Sequence, residues 1–116
     1  KFERMVNMCC CPQPQVVVNE VCATYNTDVD AADAQQIFEH AGGSASAYVM
    51  LQNFNASAEA ASLSTDATGT NIIATADPDN SFTVFVPNIS ELYVFSATGN
   101  QVIGQVKISL NETVRP

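Results

Sequence analysis

The run QVIGQVKISL near the carboxyl end alternates between apolar and polar residues, and this two-residue period constrains the fold more than any other feature. One face of the run carries Val102, Val106, Ile108 and Leu110. The other face carries Gln105, Lys107 and Ser109. Successive side chains of a β-strand point to opposite faces of its sheet, so the run predicts a strand with one buried and one solvated face.

Short runs of the same kind recur along the chain, separated by turn sequences about every 8–12 residues. We predict further strands in VVVNEVCATY, SASAYVMLQNF, ASAEAASLS, NIIATA, SFTVFV and ISELYVFSA. We expect SASAYVMLQNF to be buried and ASAEAASLS to be a weak edge strand. In SFTVFV, the residues Phe82, Val84 and Val86 share one face. Roughly eight short strands predict an all-β fold, a β-sandwich of the jelly-roll type.

One stretch, DAADAQQIFEHAGG, favours a helix on local propensity alone. Asp30 or Asp33 is a suitable N-cap, and Gly42 and Gly43 would stop the helix. The sequence by itself therefore predicts a short helix between the first two strands.

The length of 116 residues is enough for one domain with a core and too short for two. We predict that residues 16–116 form this domain. Residues 1–15 form a separate N-terminal connector arm, because Pro12 and Pro14 in CPQPQ favour extended backbone and reject helix.

Charge and apolar run length argue against a nucleic-acid partner and against a membrane span. Twelve acidic residues stand against four basic ones, so no basic patch is available for nucleic acid. No run of about twenty apolar residues is present, so we expect no membrane span. Only 14% of the residues are charged, which is typical of an extracellular or self-associating β-protein.

All four cysteines lie near the amino end, as Cys9, Cys10 and Cys11 side by side and then Cys22 in the first strand. An intramolecular disulfide to Cys22 would leave two thiols without partners. Cys9, Cys11, Cys22 and His40 are four potential zinc ligands, but their spacing suits zinc poorly, and a thiol enzyme lacks an orienting histidine near the arm. The cysteines on an extended arm are better suited to reaching a neighbouring subunit.

A second candidate metal site is the stretch DPDN at Asp77–Asn80. Its two carboxylates and amide could hold calcium, but this residue combination more often makes a turn.

The arrangement of an apolar residue (Val6 or Met8), the triplet Cys9, Cys10 and Cys11, and then Cys22 in the first strand resembles the endospore appendage (Ena) pilins of Bacillus-group spores. SASAYVMLQNF and NSFTVFVPNISELYVFSATGNQVIGQVKISL also look like later strands of that family. The resemblance implies a jelly-roll domain behind a connector arm, and it implies a strand at QQIFEHA in place of the helix. Members that form staggered fibres carry a further cysteine in the last strands, which GNQVIGQVKISLNETVRP lacks, so stacked rings or another fibre class are expected.

The function that this resemblance implies is a structural one, with no enzymatic activity and no cofactor. The expected product is a homopolymeric fibre on the spore surface, at the exosporium or spore coat, with anchor or tip proteins as further partners. Subunits would pack through β-edges, and intermolecular disulfides would involve Cys9, Cys10, Cys11 and Cys22. The alternative is a carbohydrate- or surface-binding adhesin module, against which the absence of Trp counts.

Overall fold

The computed structural model describes residues 15–41 and 45–114, and within these ranges the chain forms eight strands. Cys9, Cys10 and Cys11 lie outside the described residues. The strands are β1 (Gln15–Thr27), β2 (Gln35–Glu39), β3 (Ala45–Asn53), β4 (Ala61–Ser64), β5 (Ile72–Ala76), β6 (Asn80–Val86), β7 (Glu91–Ser96) and β8 (Val102–Val114).

The strands form two antiparallel sheets of four. The front sheet has the order β1-β8-β3-β6, and the back sheet has the order β2-β7-β4-β5. Successive strands alternate between the two sheets, except that β4 and β5 are neighbours in the back sheet. The first and last strands, β1 and β8, pair in the front sheet. This is the strand order of a jelly roll. The predicted all-β jelly-roll sandwich is confirmed.

The core lies between the two sheets and is built from alternate residues of each strand. On the front sheet, the core residues Val49, Leu51, Val106 and Ile108 are at most 1% exposed. On the back sheet, the corresponding residues are Leu63, Leu92 and Val94. The alternation predicted for the last strand is confirmed, because Val102, Val106, Ile108 and Leu110 are all buried and Lys107 is exposed.

A buried polar network closes one end of this core. Asn53 Oδ1 accepts hydrogen bonds from Tyr25 Oη at 3.2 Å and from Ser57 Oγ at 2.6 Å. Asn53 Nδ2 donates to the carbonyl oxygens of Glu59 and Ala76, each at 3.0 Å. The network satisfies the buried amide of Asn53 and fixes the β3–β4 connection against the sheets.

The expectation of an edge strand at ASAEAASLS is wrong. ASAEAASLS is not an edge strand, because β4 covers only its last four residues, lies between β7 and β5, and is buried on both faces. Small side chains allow this burial, and the serine hydroxyls are satisfied: Ser62 bonds the Thr75 hydroxyl at 3.1 Å, and Ser64 donates to the Asp66 carbonyl at 2.9 Å.

The helix predicted from local propensity is also wrong. Asp30 caps a single 3₁₀ turn at Ala31–Asp33, and the chain then enters β2, as the family resemblance implied. A register irregularity between Gln36 and Phe38 interrupts the pairing of β2 with β7. The adjacent apolar residues Ile37 and Phe38 both pack against the core, and this gain in burial outweighs weak helix propensity.

The face predicted for SFTVFV is buried only at one end. Val86 is 7% exposed, Val84 is half-buried and Phe82 is 48% exposed. β6 is an edge strand of the front sheet, so cover from neighbouring strands comes from one side only.

Candidate functional site

Cys22 lies on β1 at the edge of the front sheet, and its side chain is exposed. Its partner across the strand pair is Lys107 of β8, which is also exposed. Tyr25, three residues further along β1, is 3% exposed and points into the core. Cys22 therefore belongs to the outer, solvent-facing side of the front sheet, where another molecule can approach its thiol.

The thiol is held by a row of polar side chains. Cys22 Sγ donates a hydrogen bond to Gln105 Oε1 at 3.5 Å, and Gln105 Nε2 donates to Gln52 Oε1 at 2.8 Å. The three residues lie on β1, β8 and β3. The row directs the sulfur across the outer face of the sheet, away from the free edge of β1.

An open groove of about 460 Å³ runs over this outer face, and Cys22 lies on its border. We call it the Cys22 groove; the residues that line it include Glu20, Cys22, Tyr48, Met50, Thr83 and Lys107. At the β6 side, the ring of Tyr48 contacts the ring of Phe85 in a tilted arrangement, with centroids 5.1 Å apart and planes inclined by 56°. Tyr48 is 56% exposed, so the groove combines an exposed thiol with exposed aromatic surface, and Phe85 beside Tyr48 is 47% exposed.

This aromatic surface is absent from the sequence prediction. SASAYVMLQNF was expected to be buried throughout, but β3 alternates, with Ala47, Val49 and Leu51 inside and Tyr48 exposed outside. Met50 is half-buried on the same outer face as Tyr48. The signal that could have revealed the groove is the presence of large apolar side chains at the positions where alternation requires polar ones.

Of the four residues considered as zinc ligands, the structure describes only Cys22 and His40, and these two lie at different sheets. Cys22 is on the outer face of the front sheet, whereas His40 follows β2 of the back sheet and donates its backbone N–H to the Ser90 carbonyl at 2.7 Å. Across residues 15–41 and 45–114, no three His, Cys, Asp or Glu side chains lie close enough together to hold a metal ion.

The stretch Asp77–Asn80 forms the connection between β5 and β6. The Asn80 N–H donates to the Asp77 carbonyl at 3.0 Å, and the Asp79 N–H donates to the Asn53 carbonyl at 2.8 Å. Asp79 has φ 69°, a left-handed conformation that Asp tolerates better than most residues. The geometry is that of a four-residue β-turn that carries the chain from the back sheet to the front sheet. Separately, the described chain contains no helix with the length and apolarity to span a membrane.

Two acidic side chains hold the loops at the ends of the sandwich. The Glu59 carboxylate accepts hydrogen bonds from the hydroxyl and N–H of Thr98 and from the N–H of Asn100, which lower the pKa of Glu59 from 4.5 to about 2. The Asp66 carboxylate accepts from the Asn71 N–H, the Thr68 hydroxyl and the Thr70 N–H, and these bonds hold its pKa well below the ordinary range. Both groups are exposed carboxylates that organise loops.

Comparison with solved structures finds the same architecture in a protein of known structure. No family model and no curated protein matches the sequence. The solved structure is described as "Bacillus endospore appendages form a novel family of disulfide-linked pili"; the two chains are 18% identical and superpose with a TM-score of 0.68. The match covers 91% of this chain and 96% of the other. The chain therefore shares the fold of a Bacillus endospore appendage protein.

Proposed function

We propose that this protein is a non-enzymatic pilin subunit that assembles into a disulfide-linked fibre on the spore surface. The observation that supports the proposal most directly is the exposed thiol of Cys22 on the outer face of a fold shared with an appendage described as disulfide-linked. The connector arm of residues 1–15 supplies the other thiols, Cys9, Cys10 and Cys11.

The length of the chain argues against a bond between Cys11 and Cys22 of the same molecule. From Gln15 to Cys22, seven residues of β1 span about 23 Å. From Gln15 back to Cys11, four residues span at most about 14 Å even when fully extended. A disulfide requires its two Cα atoms to lie within about 7 Å, and here about 9 Å would remain. Cys11 can therefore reach Cys22 only on another copy.

Cys10 and Cys9 are one and two residues further from Gln15, so a fully extended arm that reversed along β1 would bring them within bonding range of Cys22 of the same chain. Pro12 and Pro14 lie in the segment that would have to reverse. Proline fixes φ and stiffens the backbone, which favours an arm that continues outward. Bonding to a neighbouring subunit is thus the favoured outcome for all three arm cysteines.

Formation of each bond is an oxidation. Cys22 and one arm cysteine together lose two protons and two electrons, and a small-molecule disulfide that accepts them is reduced to two thiols. Such bonds persist in oxidising surroundings outside the cell, which is consistent with an extracellular spore-surface location. No cofactor takes part in this proposed assembly.

The sheet edges supply the second kind of contact. β1 and β6 border the front sheet, and β2 and β5 border the back sheet, each with one row of backbone groups not paired within its sheet. Exposed edges of this kind pair with strands of other chains. Because an edge of one subunit would meet a different edge of the next, the contacts are heterologous and generate rings or open helices. The partners are other copies of this chain, with anchor or tip proteins at the fibre ends.

Electron microscopy of negatively stained recombinant protein tests the proposal. The full chain should form filaments, whereas a variant without residues 1–14 keeps all of β1 and should remain a β-rich protein that forms no long fibres. Circular dichroism of the shortened variant checks that its strands are retained. Long fibres from the shortened protein would overturn the role of the arm, and absence of filaments from the full chain under oxidising conditions would overturn the proposed function.

A further inference from the structure

The Cys22 groove is larger than disulfide formation alone requires. It extends from β1 across β8 and β3 to Thr83 of β6, and its aromatic side chain Tyr48 is two strands away from the thiol. A thiol needs only local access for disulfide exchange. The apolar part of the groove therefore calls for a separate explanation.

We propose that the Cys22 groove is a non-covalent seat for the apolar residues Met5, Val6 and Met8 in the arm of another copy. Seating these residues brings an arm cysteine to Cys22 before the covalent bond forms. This inference rests on the proposed function, because it names the segment that the fibre subunit binds at its thiol site.

The surface chemistry of the groove suits such an occupant. Tyr48 is 56% exposed on an inner strand of the sheet, where covering it would remove substantial apolar area from water. Met50 lies between Tyr48 and the Cys22 row on the same face. Methionine side chains adapt to irregular apolar surfaces, and the arm contributes two of them, at positions 5 and 8.

The spacing of the arm fits the spacing of the strands. Two strand separations of about 4.8 Å, roughly 10 Å, lie between Cys22 on β1 and Met50 on β3. Three residues of extended chain, also roughly 10 Å, lie between Cys11 and Met8. An arm bonded through Cys11 and extended across the strands therefore places Met8 over Met50.

Charge favours the approach of an arm to this body. Residues 1–14 contain two basic residues and one acidic residue, whereas residues 15–116 contain two basic and eleven acidic residues. Within the groove, Glu20 offers a carboxylate to Lys1 or Arg4 of the arm, and Lys107 offers an ammonium group to Glu3. The long-range attraction between a cationic segment and an acidic domain accelerates their encounter.

The experiment measures how fast Cys22 captures an arm peptide. The full chain is prepared with Cys9→Ser, Cys10→Ser and Cys11→Ser, which leaves Cys22 as its sole thiol. Synthetic peptides of residues 1–14, each with one cysteine retained as a mixed disulfide with glutathione, are added. The Cys22 thiolate attacks the peptide sulfur, the new disulfide forms and glutathione leaves as a thiolate. Mass spectrometry follows the peptide-linked product, and glutathione disulfide alone serves as the control probe.

The test variant is Tyr48→Thr, with Phe85→Thr as a second variant that removes the ring in contact with Tyr48. The matched control is Phe82→Thr, since Phe82 lies on the same strand as Phe85 and is equally exposed, but it pairs with buried Leu51 and faces the other side. Threonine suits a strand in all three variants. We expect Tyr48→Thr to slow peptide capture on the order of tenfold, and Phe82→Thr to leave it unchanged. Reaction with glutathione disulfide should be the same in all variants.

Equal capture rates for Tyr48→Thr and Phe82→Thr would overturn the groove as a seat. Faster capture by Tyr48→Thr would also overturn it, because the chain's own arm would then occupy the groove. If the reaction with the arm peptide and with glutathione disulfide were both lost as protein concentration rises, the folded domain of another copy would cover this face, and the seat would be overturned. If the full natural chain still forms reducible fibres in any of these cases, the proposed function stands and only the seat is wrong.

Discussion

The two faces of the front sheet consist of the same strands and share one backbone, yet they carry different roles. On the inner face, Val106 and Ile108 are at most 1% exposed and meet the back sheet. On the outer face, the intervening residue Lys107 lies between Cys22 and Met50 in the Cys22 groove. A single residue step along β8 thus separates the core from the candidate site.

This difference indicates that the fold and the site are encoded by alternate residues and can be changed separately. Substitutions on the inner face should alter stability, because they remove packed apolar volume. Substitutions on the outer face should alter capture and linkage with little effect on stability. The predictions below test this separation.

The largest effect is expected for Ile108→Ala on the inner face. Ile108 is 1% exposed within the core, and shortening such a side chain costs about 2–5 kcal/mol of unfolding free energy. Chemical denaturation monitored by circular dichroism measures the loss, with Lys107→Ala as the control one residue away and a change expected within about 0.5 kcal/mol. Similar destabilisation by both substitutions would break the distinction between the faces.

Gly104→Ala should be the next most damaging change. A Cβ at this position would overlap the Gln52 carbonyl oxygen and lie 2.5 Å from Tyr25 Oη. The clash acts on the network of Tyr25 and Asn53, and overpacking of this kind costs about 1–3 kcal/mol. Thermal unfolding checks it against Gln105→Ala, the adjacent outer-face position. A fully stable Gly104→Ala protein would mean that β8 and β3 separate easily at this end of the sheet.

An acid-dependent effect should come from the loops and involve neither face. The pKa of Glu59 is about 2 in the folded protein, below its ordinary 4.5, because Thr98 and Asn100 donate hydrogen bonds to the carboxylate. A lowered folded-state pKa gives stability that is fully present above pH 4.5 and is lost as the pH falls through about 2. Unfolding midpoints of the unsubstituted chain and of Glu59→Gln are measured from pH 6 to pH 2 in steps of about one pH unit. The difference between the two midpoints should shrink as the pH approaches 2. Parallel profiles for the two proteins would show that Glu59 does not act through its charge.

The smallest effect on stability is expected for Cys22→Ser, on the outer face. Cys22 is exposed, so the unfolding free energy should change by no more than about 0.5 kcal/mol. Its effect on assembly should nevertheless be complete loss of the arm-to-body linkage, visible on a non-reducing gel as the absence of that cross-linked product. Unchanged cross-linking in Cys22→Ser would show that the arm cysteines bond only one another.

Much of the inner face could be predicted from the sequence. The alternation in QVIGQVKISL places Val102, Val106, Ile108 and Leu110 in the core, because successive side chains of a strand point to opposite faces. The position of β4 could not be predicted, because Ala and Ser at 61–64 fit a buried or an exposed strand equally well. Local helix propensity at residues 30–43 was misleading, because β2 pairs with β7, which lies more than fifty residues further along the chain. A local pattern does not contain that pairing.

The candidate site was predictable only in part. Cys22 was identified from the sequence, and the structure places it on an exposed outer face. Tyr48 and Met50 were missed because their proximity to Cys22 depends on the order of β1, β8 and β3, which no local pattern contains. Sequence shows which residues can react, whereas sheet order determines what surrounds them.

The central claim is that Cys22 bonds to an arm cysteine of another copy. Fibres assembled from equal parts of ordinary and isotope-labelled chains, digested without reduction and mapped by mass spectrometry, test it most directly. We predict that peptides joining Cys22 to Cys9, Cys10 or Cys11 carry mixed labels in about half of the linked pairs, as random pairing between chains requires. Linked peptides with identical labels on both halves, and no mixed pairs, would show that the bond closes within one chain and would contradict the account.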